Sequence, residues 1–200
     1  TRIDSYDSIN SGSTTDMTLA SGATIEVEAG EIAEMLADET AGRLTIDDQL
    51  ITVNGAITVD NANLLGATTT GKVTATIATS ESVTELATLN EDGGVNAFTI
   101  IISVSDATSS TAAQLNTIND AVSASVVINL TNVTALAGSS LADLGTLATA
   151  ISNNEFTNAG GLTTIAVTDT TIDATTLATR IDSYDSINGG STTDMTLASG

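Results

Sequence analysis

The sequence predicts an α/β solenoid: a stack of coils with a parallel β-sheet on one face, short helices on another, and about six strand–helix coils per 178-residue repeat. Three observations carry this expectation. The phrase at residues 1–22 returns at 179–200, changed only where Ser11 becomes Gly189. A strand pattern followed by a helix pattern recurs about every 30 residues, as in stacked repeat units. The core must be filled almost without aromatic side chains, since 200 residues contain two Tyr, two Phe and no Trp.

A copy of that length and fidelity does not arise from composition. Residues 1–178 are therefore read as one full repeat of a continuous array and 179–200 as the start of the next, so that the chain is an excerpt. Tyr6 and Tyr184 hold the same place in the phrase, which leaves one Tyr and two Phe per period. A rounded domain usually centres on large aromatics burying about 150–250 Å² each. A core one or two side chains thick fills instead with Ile, Val, Leu and Ala, each coil burying its apolar face on its neighbours. Hydrophobic residues make up 41% of the chain and mean hydropathy is +0.23, enough for such a core.

Taken in order, residues 23–28 alternate as a strand and 31–38 have helical spacing. Residues 44–47, 51–53 and 57–60 read as three brief strands, the last two joined by Asn54-Gly55, with Asp60 placed to cap a short helix over 61–65. Residues 73–77 alternate cleanly. Ser82 and Glu85 form a capping-box pattern opening a helix over 83–89. The same grammar recurs at 98–104, then Thr111 to Gln114 opening a helix with Leu115 and Ile118. It returns at 126–130, with Ser140 to Asp143 opening a helix with Leu144, Leu147 and Ile151. The last unit is a strand over 162–167 and a helix over 174–181 capped by Asp173, running into the repeated phrase. A pure β-solenoid is the nearest alternative, because Thr, Val and Ile favour strands and several of these helices are short. The capping patterns weigh for the helix-bearing form. Tandem β-sandwiches fit less well, since the period has no Pro-rich or Gly-rich linker.

Four basic residues, Arg2, Arg43, Lys72 and Arg180, stand against 25 Asp and Glu, for a net charge of −21. Phosphate binding needs clustered Lys and Arg, so nucleic acid is excluded as a partner, and an anionic membrane would repel the chain. Such charge keeps a long polymer soluble at the cost of self-repulsion that salt or divalent cations relieve. That suits a saline exterior. Cys, His and Pro are absent, so neither disulfides nor thiolate metal sites hold the fold, and proline-rich linkers are excluded. No run has the length of a membrane span, about 18 apolar residues or more.

Residues 168–177 (TDTTIDATTL), 109–118 (SSTAAQLNTI), 73–77 (VTATI) and 82–86 (SVTEL) resemble the degenerate phrases of giant tandem-repeat proteins of bacteria, notably cyanobacteria. The resemblance covers most of the chain. It implies a bacterial, extracellular or cell-surface setting and a structural role, and it carries no catalytic residues over. The near-identical long-range copy departs from the drift usual in such repeats.

No enzyme is expected. Without His or Cys, and with one Lys, only carboxylate chemistry remains, and the carboxylates are spread along the coils. Calcium is the stronger functional candidate, because turns between coils offer carboxylates and carbonyls together. The candidate ligands are Asp47 with Asp48, Asp106, Asp169 with Asp173, and Asn90 with Asp92. The competing reading makes Asp60 and Asp173 helix caps and the others solvated turn residues. Thr74-Ala-Thr76 has the form of an ice-binding face but does not recur at a fixed coil position. Lys72 is the sole lysine available for an isopeptide cross-link, and the sequons at Asn129 and Asn132 are short enough to arise by chance. The expected role is a structural extracellular fibre or surface-layer protein whose partner is itself, end to end and laterally. The alternative is a calcium-dependent adhesin stalk or binding module.

Overall fold

Alternation in the chain becomes two faces in the sheet. In the computed structural model, which describes residues 16–90, 96–122 and 126–197, Val73, Ala75 and Ile77 point into the core and Thr74 and Thr76 point to solvent. This is strand β5, Val73–Ile77. The other strands are β1 Met17–Thr18, β2 Thr24–Glu28, β3 Leu44–Thr45, β4 Leu50–Ile57, β6 Ala97–Ile101, β7 Ile128–Asn129, β8 Ala135–Ser139, β9 Phe156–Thr157, β10 Thr164–Val167 and β11 Asp194–Leu197. The helices are α1 Ile32–Thr40, α2 Val59–Thr68, α3 Val83–Leu86, α4 Ala112–Ala121, α5 Leu141–Ser152 and α6 Ala174–Ile187. The chain is thus α/β, and every strand pairing among the described residues is parallel.

The main sheet has six strands in the order β2-β4-β5-β6-β7-β9, so its strands lie side by side in the order in which they occur along the chain. A second sheet runs β8-β10-β11, and β1 pairs with β3. Partners come from successive units, as where Ile57 lies beside Ile77 and Thr164 beside Asp194. The register puts like on like. Val27 sits beside Val53, Ile51 beside Val73, Ala75 beside Phe98, and Ile100, Ile128 and Phe156 form one row. All of these side chains are buried. Helices α3, α4, α5 and α6 pack successively side by side. Among the described residues, the buried aromatics of the apolar layer between sheet and helices are Phe98, Phe156 and Tyr184. No described helix is long and apolar enough to cross a membrane.

Several boundaries differ from the sequence expectation. Residues 51–53 and 57–60 do not form two strands joined by a turn; one eight-residue strand, β4, runs through Asn54 and Gly55. Its partner β5 is shorter, and from Thr52 to Ala56 it passes only Thr74 to Thr76, so β4 bulges between them. Gly55, at φ +94°, sits in that bulge. Asp60 is not the cap of α2. Thr58, extended at φ −72° and ψ 160°, accepts from the Asn61 N–H at 3.2 Å, and the helix begins at Val59 and runs on to Thr68. The strand expected over 98–104 ends at Ile101, because Ser103 accepts from the Ser105 N–H and turns residues 104–106 into a 3-10 helix. The strand expected over 126–130 contracts to β7, and that over 162–167 begins at Thr164, after the 3-10 turn Ala159–Gly161. Helix α6 reaches Ile187, well into the second copy of the phrase, which opens at Thr179.

Close approach of consecutive units is sharpest at Gly71, where an added Cβ would stand 2.2 Å from the Gln49 carbonyl oxygen and 2.7 Å from that of Asp48. Neither backbone group can swing away as a side chain would. Gly71→Ala is expected to destabilise the fold by on the order of 2 kcal/mol or more, read from the urea midpoint at unchanged m value. An unaltered midpoint would show that these backbones do not meet so closely.

Candidate functional site

The first N–H groups of any helix lack acceptors within it. Here each of four successive helices, α2 to α5, is capped twice. Its own preceding residue serves the third position: Thr58, Ser82, Thr111 and Ser140 accept from the N–H of Asn61, Glu85, Gln114 and Asp143 at 3.1–3.2 Å. A residue from the next unit serves the first position. Val59 N–H donates to Glu81 Oε2 (3.1 Å), Val83 to Asp106 Oδ2 (3.1 Å), Ala112 to Ser139 Oγ (2.9 Å) and Leu141 to Asp169 Oδ2 (2.7 Å). Three of these four acceptors are carboxylates, which the positive end of the helix dipole also favours. The cross-unit caps were not anticipated from the sequence. Their signal was present as an Asp, Glu or Ser one unit beyond each helix start.

Helix capping accounts for three of the six acids proposed as calcium ligands. Asp106 and Asp169 engage two different helices, and Asp173 caps a third, α6, through the Thr176 N–H at 2.8 Å. Asp48 accepts from Ser21 Oγ and from Gln49 Nε2, and Asp47 contributes its carbonyl to the Thr70 N–H. Asn90 gives its backbone N–H to Asn63 Oδ1, while Asp92 lies outside the described residues. Asp47 adjoins Asp48, but among the described residues no three His, Cys, Asp or Glu side chains gather as a group able to hold a metal ion. Hydrogen bonds from the Thr176 backbone hold the Asp173 carboxyl below its ordinary pKa, and those from Ser82 do the same for Glu85. Both groups are solvent-exposed. Their caps are fully formed above the ordinary carboxylate range and are lost as pH falls through these lowered values.

The repeated phrase docks on the unit before it through two side chains of α6. Arg180 Nε donates to the Leu141 carbonyl (3.0 Å), and the Tyr184 hydroxyl donates to the Leu144 carbonyl (3.1 Å), both on α5. Gly145 makes room for this, since a Cβ there would stand 2.2 Å from Arg180 Nη2. Tyr184 is fully buried, and burial pushes its phenol well above the ordinary 10.0, with the Arg180 charge opposing. Beyond α6, Thr193 N–H donates to Asp185 Oδ1 at 2.6 Å and Asp194 N–H to the Thr163 carbonyl at 2.9 Å, which seats β11 on β10. Gly189, the position that differs between the copies, has φ +66°, where a side chain would be strained. Its counterpart Ser11 lies outside the described residues. The first copy shows the opposite relation. Met17 N–H donates to the Arg43 carbonyl (2.8 Å) and Gln49 Nε2 to Ala20 O (3.2 Å), both contacts with the unit after it.

No family model matches this chain, and neither a curated protein nor a solved structure matches it. The chemistry of the site therefore rests on the geometry above: carboxylates and hydroxyls that join one unit to the next.

With those carboxylates engaged as caps, adding calcium or a chelator is expected to leave the thermal midpoint unchanged; a rise of several degrees with calcium would reassign them as ligands. Tyr184→Phe removes one buried hydrogen bond and is expected to cost about 1 kcal/mol near neutral pH. Because folding raises the Tyr184 pKa, its contribution is complete below the ordinary phenol value and lost as pH rises above it. Wild-type stability is thus expected to fall more steeply than that of Y184F above pH 10.0, in urea titrations at a series of alkaline pH values.

Proposed function

We propose that this chain is a segment of an α/β solenoid built from tandem 178-residue repeats, and that it acts as a structural fibre or surface-layer protein outside the cell. The observation that carries the reading is the strand order of the main sheet, in which the strands pair in parallel in the order of the chain. A chain that always adds its next strand to the same growing edge extends in one direction. Four of these additions also cap the helix before them, so that α2 to α5 are each completed by the following unit.

A material role accords with the chemistry. Polar side chains along the units are used in joining them: Asn63 links to Thr88 and Asn90, Asn116 to Asp143, Asn132 to Ile102. The net charge of −21 keeps such rods apart until salt screens them. Lateral bundling is expected where the charge is screened.

At about 4.8 Å per parallel strand step, six units give an axial rise of roughly 29 Å per period. Electron microscopy of tandem repeats in molar salt is expected to show unbranched filaments with that axial repeat. Separate globular particles, or flexible threads each ending in a distinct head, would sink the fibre reading, the second in favour of an adhesin stalk.

A further inference from the structure

The tetrapeptide Asp-Met-Thr-Leu occurs twice, and the two copies offer their backbone to opposite sides. In β11, Asp194 N–H donates to the Thr163 carbonyl beside β10, and the register continues through Thr196 opposite Ala166. Successive residues of a strand turn their N–H groups to alternate edges, so Met195 and Leu197 present theirs away from β10. In β1 the equivalent of Met195 is Met17, and there the methionine N–H is engaged, donating to the Arg43 carbonyl beside β3. One edge of the tetrapeptide is thus seen bound in one copy and the other edge in the other. Both pairings are parallel, and both methionines pack on the core, so the strand presents the same face in each setting.

Side-chain burial carries the same message. Leu19 is partly buried and packed against the core, whereas its equivalent Leu197 is 46% exposed. The acceptor side is tied to the end of α1. Arg43 comes directly after Gly42 (φ +71°) at the end of α1, its N–H donates to the Asp38 carbonyl, and its side chain pairs with the buried Asp38 carboxylate.

We propose that this tetrapeptide strand is a two-sided joint, held on one edge by β10 of its own period and on the other by β3 of the next, and that the partner it accepts is a second copy of this chain. The inference rests on the fibre reading. In a tandem array the next period supplies β3 directly. Between separate chains, β11 of one takes the place of β1 in the other, and the same four residues re-form the same hydrogen bonds. β1 is only two residues long, so little is lost in the exchange. Charge repulsion between copies opposes it and salt relieves it.

The chain has no cysteine, so an introduced pair reports the joint alone. Thr18 lies opposite Thr45 in β1–β3, and Thr196 takes that place after exchange. Thr45 comes just before β4 and Thr196 follows β9 and β10 in the chain, and the main sheet spans roughly 20 Å from β4 to β9, beyond disulfide reach. T45C/T196C, oxidised in molar salt, is expected to give disulfide-linked dimers and higher multiples. Adding Met195→Pro, which deletes the outward N–H and spares those of Asp194 and Thr196, is expected to cut their yield on the order of tenfold. The T18C/T45C chain, cross-linking within itself, shows that β1–β3 is formed in the same buffer. Chains that stay single, or multiples undiminished by M195P, overturn the joint. Filaments without the link would overturn the joint and leave the fibre reading standing; linked dimers that never lengthen would do the reverse.

Discussion

Parallel pairing in chain order is the constraint on which the rest of this structure depends. A parallel neighbour cannot be reached by a tight turn, because the chain must cross over and return before the next strand is laid down. Here the crossover carries a helix, and the return sets Ile77 beside Ile57 and Asp194 beside Thr164. Since the strands of the main sheet are added in sequence at one edge, each new strand satisfies the backbone of its predecessor and leaves its own far edge unsatisfied. The requirement is local, repeated and directional.

The helix caps obey the same logic on the other side of the core. A helix start leaves N–H groups that its own preceding residue can only partly serve. Asp106, Asp169, Glu81 and Ser139 come from the next unit to serve the first of them. Sheet edge and helix terminus are therefore both completed by the same neighbour, and the acidity of the chain has a structural use at three of these four junctions. Small residues matter for the same reason. Gly71 lets two backbones meet, and Gly145 leaves the space in which the Arg180 guanidinium lies.

The repeated phrase concentrates these relations. Its helix reaches back through Arg180 and Tyr184 to carbonyls of α5, its strand reaches back through Asp194 to β10, and the earlier copy reaches forward through Met17 to the Arg43 carbonyl. A segment that carries contacts in both directions has little freedom to vary without loosening one of them. The one substituted position, Gly189, falls in a left-handed turn just past the helix.

The alternation of residues 73–77, the Ser82–Glu85 and Thr111–Gln114 capping boxes and the Asp173 cap were legible in the sequence, because each depends on residues within one turn or one strand. Composition alone likewise called for an aliphatic core and ruled out disulfides. Other features needed the fold. Strand β4 bulges against its shorter neighbour β5, α2 is capped by Thr58 rather than Asp60, and β8, a strand that alternation did not announce, forms where it lies beside β10. The roles of Asp106 and Asp169 were hidden for the same reason: an acid in a turn looks solvated until the helix of the preceding unit is placed beside it. Local hydrogen bonding and side-chain alternation are written in consecutive residues, whereas register between strands and the acceptors of distant N–H groups exist only once units far apart in the chain are brought into contact.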